Sequence, residues 1–236
     1  MNKNIPLVVI LSCKNNVEQQ KIITEHLKNK IEFIFVIGEN KEDKLEDNIL
    51  KLNVDDSYEY LHIKVVKAFD FIYKKIKRNI VKIDDDSFIN LKNFKNYNFD
   101  FDYGGFINYG KTVNYTYHQS KIKDKRFLSP LTDKKEYEFA LGGGYFLSKK
   151  ALKVFLNNYK NNSEYFNHLT FKKGREDRII GQTLTPFFTK LDIKNDGAWI
   201  NRDNLLYFVF NNSIFHSISI DKYVKLREKN NPEFYV

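Results

Sequence analysis

Apolar residues fall in short runs between polar stretches, and the spacing inside each run predicts a strand or a helix. Residues 6–13 are an apolar run with polar flanks, readable as a buried strand. Residues 16–28 carry Val17, Ile22, Ile23 and Leu27 and predict a short helix; residues 31–38 (IEFIFVIG) predict a second buried strand. A strand, a helix and a strand within about forty residues make a βαβ unit on a parallel sheet. Residues 48–54 predict a short third strand. Tyr58, Leu61, Val65, Phe69, Ile72 and Ile76 recur at steps of three or four and line one face of the clearest helix. Asp56, with Glu59 three positions on, gives that helix a start like a capping box.

Residues 79–83 form an apolar strand that runs straight into Asp84-Asp85-Asp86. Residues 101–108 predict a return to the sheet, where Gly104 and Gly105 allow a bulge or a close backbone approach. No steady period marks residues 110–137, which read as a long loop or irregular hairpin of the kind that often binds something. Gly142-Gly143-Gly144 reads first as a turn, and Ser148 as the N-cap of a helix from Lys149 to about Tyr159. Glu176 and Asp177 open a further helix, which Pro186 ends or kinks. Short strand-like pieces follow at residues 205–210 and 213–219. There is no internal repeat, and residues 1–236 read as a single α/β domain.

Three consecutive carboxylates at the C-terminal end of a parallel strand are unusual, because each negative charge raises the cost of ionising the next. Ligands bind at that end of open α/β sheets. Hard oxygen ligands select Mg²⁺ or Mn²⁺, cations that in turn grip phosphate oxygens. A solvated acidic turn capping the next helix is the plainer reading of the same residues. Glu176-Asp177 is a second carboxylate pair, although acids also favour helix N-termini for the macrodipole alone. The glycine run either turns the chain or lets its backbone approach a ligand. His216, between Phe215 and Ser217, reads equally as a core histidine.

Composition narrows the classes. The net charge is +9, but the basic residues are scattered and no nucleic-acid motif appears, so nucleic acid is not an expected partner. Cys13 is the only cysteine, which suits a reducing compartment, and no early run is long enough to span a bilayer. A soluble cytoplasmic chain without a membrane anchor is the expectation. The aromatic share is 16%, yet Lys, Asn, Ile, Phe and Tyr are abundant together, as codon bias produces, so aromatic richness carries little weight. No HxxxH, CxxC, GxSxG or Walker pattern occurs.

Taken in order, these pieces resemble the β-1,3-glycosyltransferase family that includes β-1,3-galactosyltransferases and the Fringe enzymes. The residues from Asp56 to Lys64 (DSYEYLHIK) are similar to D-S-Y-x-N-L-T-x-K, with Tyr60 in place of the Asn. Lys82 to Phe88 is similar to K-x-D-D-D-x-F, Gly142 to Ser148 to G-x-G-Y-x-x-S, and Glu176 to Gly181 to E-D-V-x-x-G. Phe215-His216-Ser217 resembles the Phe-His-Ser element of the Fringe branch.

The resemblance implies a GT-A fold, an α/β/α sandwich around a mixed, mainly parallel sheet. It implies an inverting, metal-dependent hexosyltransferase that moves a sugar from a UDP-sugar to a hydroxyl of a glycan or glycoprotein, forming a β-1,3 linkage. By the same resemblance Asp86 and His216 ligate Mn²⁺ or Mg²⁺, and Asp84, Asp85 and Lys64 serve or support the nucleotide sugar. Gly143 and Gly144 line the donor site, and Asp177 is the general base. Two other classes stand beside it: a metal-dependent phosphohydrolase of the haloacid-dehalogenase kind, and a non-catalytic carbohydrate-binding protein on the same fold. The first expects its Asp-x-Asp after the first strand, whereas here the acids come near residue 85.

Overall fold

The computed structural model describes residues 5–39, 41–89, 91–108, 121–123, 139–162, 176–188, 190–192 and 215–217. Among the described residues the chain has ten strands, eight in one sheet and two in a separate ribbon. Its strands are β1 (Leu7–Leu11), β2 (Phe33–Gly38), β3 (Lys44–Glu46), β4 (Ile49–Leu52) and β5 (Ile80–Asp84). Those that follow are β6 (Ser87–Ile89), β7 (Tyr103–Asn108), β8 (Phe139–Leu147), β9 (Lys190–Asp192) and β10 (Phe215–Ser217). The helices are α1 (Val17–Leu27), α2 (Leu61–Phe71), α3 (Leu91–Asn96), α4 (Lys149–Asn161) and α5 (Glu176–Leu184).

β4, β2, β1 and β5 are parallel, β8 runs against β5 and β7, and β7 pairs parallel with β9. The central strands are buried on both faces, which is why they read as continuous apolar runs. One face, through Leu7, Val9, Val36 and Leu50, packs on Val65 and Phe69 of α2, Leu152 and Phe155 of α4 and Ile180 of α5. The other, through Val8, Ile10, Phe35 and Val81, packs on Ile23 and Leu27 of α1 and Phe94 of α3. Helices on both faces of a mixed, mainly parallel sheet make the three-layer GT-A type α/β fold.

The predicted elements up to residue 108 and from 149 to 184 are present within a few residues. Ser148 caps α4 as expected, its hydroxyl accepting from Ala151 N at 3.0 Å. The glycine pair of β7 accompanies a bulge between Gly105 and Ile107. Two expectations are corrected. Gly142 to Gly144 is no turn; it lies within the nine-residue strand β8, where glycines admit close neighbours. Asp56 and Glu59 make no capping box, since α2 is entered through a 3₁₀ turn at Tyr58–Tyr60 without a side-chain cap. Asp56 is engaged elsewhere, and Glu59 is buried against Lys123 N. A π-helical turn, Ile72–Ile76, extends α2 and ends on Lys77 in the left-handed conformation. Residues 205–210 and most of 110–137 lie outside the described residues. Among the described residues no helix is long and apolar enough to cross a membrane.

Candidate active site

The parallel register of β1 and β5 sets Leu11 beside Asp84, so the chain leaves both strands at the same end. Asp85 N donates to Leu11 O at 3.1 Å, which holds the acidic turn against the end of β1. The Asp85 carboxylate then takes two bonds on a single oxygen: Ser12 Oγ and Asn16 Nδ2 each donate to Oδ2 at 2.7 Å. Gln20 Nε2 supports Ser12 Oγ at 3.0 Å. Asn16 is the N-cap residue of α1, but its side chain makes no cap bond because it is spent on Asp85.

Behind this loop lies Lys64. Its buried ammonium donates to Ser12 O at 2.7 Å and to Asp56 Oδ1 at 2.8 Å. Asp56 also accepts from Gly38 N at 2.8 Å and from Lys14 N at 2.6 Å. One lysine–aspartate pair thus pins the ends of β1 and β2 and the start of α2 together. Lys64 supports the wall that carries Asp85.

On the other side of the acids stands Lys82, whose side chain is fully buried. Its ammonium donates to Asp84 Oδ1 at 2.6 Å, to Glu176 Oε1 at 2.8 Å and to Gly142 O at 2.8 Å. It also lies 5.3 Å from the centre of the Tyr145 ring. Burial works against its ammonium, but the Asp84 and Glu176 carboxylates more than offset it and hold the lysine protonated well above its ordinary range. Burial likewise opposes ionisation of Glu176, yet the Lys82 charge and hydrogen bond win and its pKa is lowered. Asp84 moves the other way: desolvation raises its pKa, with Glu176 and Asp86 adding and Lys82 resisting. Two carboxylates share one ammonium, and the surplus negative charge sits at the mouth of the strand.

Asp177 joins this group through the backbone. Gly142 N donates to its Oδ2 at 3.1 Å, and Arg178 N to its Oδ1 at 2.7 Å. Asp86 is the exposed member of the triplet, next to Ser87. Gly143 and Gly144 follow in β8, and a Cβ on Gly143 would lie 3.5 Å from Ser87 Oγ, beside the acidic turn. The antiparallel pairing of β10 with β6 sets the His216 backbone opposite Phe88, two residues past Asp86. Asp84, Gly142, Glu176 and Asp177 thus lie together where β5 runs out beside β8, Lys64 and Asp85 lie at the end of β1, and His216 is placed by the pairing of its backbone alone.

Sequence reasoning passed over Ser12, Asn16 and the ties of Glu176 and Gly142 to Lys82. The first two resembled ordinary loop and cap residues. A buried lysine alternating with apolar neighbours in residues 79–83 was the available signal for the rest, because an ammonium at a strand core must find carboxylates.

The donor set suits a hard divalent cation in one particular way. Among the described residues no group of three or more His, Cys, Asp and Glu could hold a metal by itself. Mg²⁺-type sites typically use one or two carboxylates and take their other oxygens from water and substrate phosphates. An exposed Asp86 beside surplus negative charge fits that pattern. The family model for galactosyltransferases matches residues 15–185, from the loop after β1 through α5. No curated protein matches the chain.

Proposed function

The chain belongs to the galactosyltransferase family, and on that premise we propose that it moves a sugar from a UDP-sugar to a hydroxyl of a glycan or glycoprotein acceptor, with inversion and a β-1,3 linkage. The observation that carries this reading is the Gly142 peptide, whose carbonyl is held by Lys82 beside Asp84 and whose N–H is held by Asp177. One residue thereby joins a phosphate-side group of acids to a carboxylate able to accept a proton.

In this reading Asp86 and His216 would hold Mn²⁺ or Mg²⁺, which would supply charge neutralisation to a leaving diphosphate. Asp85, fixed by Ser12 and Asn16, offers its second oxygen to the ribose or the donor sugar, with Asp84 beside it. Lys64 keeps that wall in place, and Gly143 and Gly144 let the donor sugar approach the β8 backbone. Asp177 takes the proton of the acceptor hydroxyl as its oxygen bonds to the anomeric carbon. The bond to the diphosphate oxygen breaks on the opposite face. Two backbone N–H groups hold the Asp177 carboxylate in place, one on each oxygen. The lone Cys13 supports a reducing, cytoplasmic setting.

The test is a panel of UDP-sugars with glycan acceptors. UDP release is expected only with Mn²⁺ or Mg²⁺, and Asp177→Asn is expected to lower kcat by about 10²–10⁴-fold while donor binding persists. Turnover in excess chelator would refute the metal assignment, and full transfer by the Asp177 variant would refute the base.

A further inference from the structure

We propose that Lys82 is a positioning residue that sets the helix bearing Asp177 against the acidic triplet, with Glu176 as its partner; the inference rests on the glycosyl-transfer reading above. An ammonium has three N–H donors, and Lys82 has three acceptors, each on a different element. Asp84 ends β5, Gly142 belongs to β8, and Glu176 opens α5. Asp84 is two residues away in the chain, Gly142 sixty and Glu176 ninety-four. No local preference brings them together, so the lysine is the joint.

Two routes lead from that joint to Asp177. The first is covalent: Glu176 precedes Asp177, and fixing one at the helix start limits where the other can point. The second runs through Gly142, whose carbonyl accepts from Lys82 and whose N–H donates to Asp177 Oδ2 at 3.1 Å. The glycine is part of the device. A Cβ there would lie 3.2 Å from Glu176 Oε1, tighter than ordinary contact, and 3.4 Å from both Asp84 Oδ2 and Lys82 Nζ, so an added side chain crowds Glu176 and fills the space around the ammonium. Tyr145, paired in register with Lys82, closes the floor beneath the ammonium. A shift of Lys82 therefore moves Asp84 and Asp177 in a correlated way, and misplacement of about 1 Å at reacting groups can cost about 10²-fold in rate.

A cluster that only stabilises the fold would contain the same ion pairs, so the test must separate the two roles. Glu176→Gln keeps the Oε1 acceptor and the size but removes the charge; Lys82→Arg keeps the charge but not the three-way geometry. Both are expected to bind UDP at full stoichiometry; a rise in donor KM reads the displacement of Asp84, which the proposed function places beside the donor. Their kcat per binding-competent molecule should fall at least tenfold, toward the 10²-fold that such displacement produces. Hydrogen exchange gives a readout independent of turnover. The Gly142 and Arg178 amides, which donate to Asp177, should exchange about tenfold faster while the Val8 to Ile10 amides of β1 keep their protection.

If only the melting temperature and the UDP-binding fraction fall, with kcat per binding molecule and the two amides unchanged, Lys82 is structural and the inference is overturned. If Lys82→Arg does not fold, Glu176→Gln decides alone by the same criteria. If the unmodified protein transfers no sugar, the functional reading fails instead. In that case the exchange of Gly142 and Arg178 alone still upholds or overturns the joint.

Discussion

Substituting alanine for Gly38 tests how tightly the wall behind Asp85 is built. Gly38 ends β2, and a Cβ there would lie 2.5 Å from Val54 O and 3.0 Å from both Cα and N of Asp56. All three atoms are backbone, so no side-chain rotation relieves the clash. Ordinary contact begins near 3.4 Å, which means that the 54–56 segment must retreat by about 0.9 Å. That movement carries Asp56 away from Gly38 N, a bond of 2.8 Å, and disturbs the pair with Lys64. Overpacking of this kind costs about 1–3 kcal/mol, and a lost hydrogen bond to a charged acceptor about 1.5–3 kcal/mol. Because one displacement causes both, a total of about 2–4 kcal/mol is expected, or a fall in Tm of roughly 5–15 °C for a chain of this size.

Urea unfolding of Gly38→Ala beside Gly143→Ala is the informative measurement. Among the described residues a Cβ on Gly143 meets only Ser87 Oγ, at an ordinary 3.5 Å, so that variant should stay within about 1 kcal/mol of the unmodified protein. If Gly38→Ala is equally mild, or Gly143→Ala is the worse of the two, the steric account of the β2 terminus is wrong.

Buried His62 supplies a pH signature. Burial lowers its pKa from 6.5 to about 4, so the unfolded chain takes up its proton first on acidification. Its stabilising contribution is complete above pH 6.5 and drains away as pH falls toward 4, by about 3 kcal/mol in all. The gap in unfolding free energy between the protein and His62→Gln should shrink across that window; a pH-independent gap contradicts the burial argument. Ser12→Ala and Asn16→Ala each remove one of the two donors on Asp85 Oδ2. Each should raise the donor KM by about tenfold, as expected for a hydrogen bond to a charged group, and leave kcat within about threefold. Unchanged donor KM in both variants means that the orientation of Asp85 does not matter.

Much of the layout was legible because it is local. The apolar runs marked the parallel strands, the three-and-four spacing marked α2, and a strand running into Asp84 fixed the site end of the sheet. Where local signals competed, they misled. Asn16 and Asp56 have good capping side chains, but the first goes to Asp85 and the second to Gly38, Lys14 and Lys64. Val17, counted among the apolar positions of α1, is 65% exposed because the buried face of that helix falls on Ile23, His26 and Leu27 instead. The glycine run read as a turn because glycine is scarce in strands. At Gly142 the cause is the crowd of charges, with Glu176 Oε1 only 3.2 Å from where a Cβ would stand; the contact across to β7 instead explains Gly105, whose Cβ would come within 2.7 Å of Gly144 O. Such reasons act between residues far apart in the chain and leave no periodicity.

The reversed direction of β8 has an evolutionary consequence. Parallel strands bring only their exits to the ligand end, but β8 makes its entrance there, with Phe139 beside Asn108 and Gly142 beside Asp84. A change at the pair of Phe139 and Asn108 therefore alters the entrance of β8 without altering strand order or the Lys82 joint. Acceptor preference can diversify at that junction while the chemistry below it stays constant.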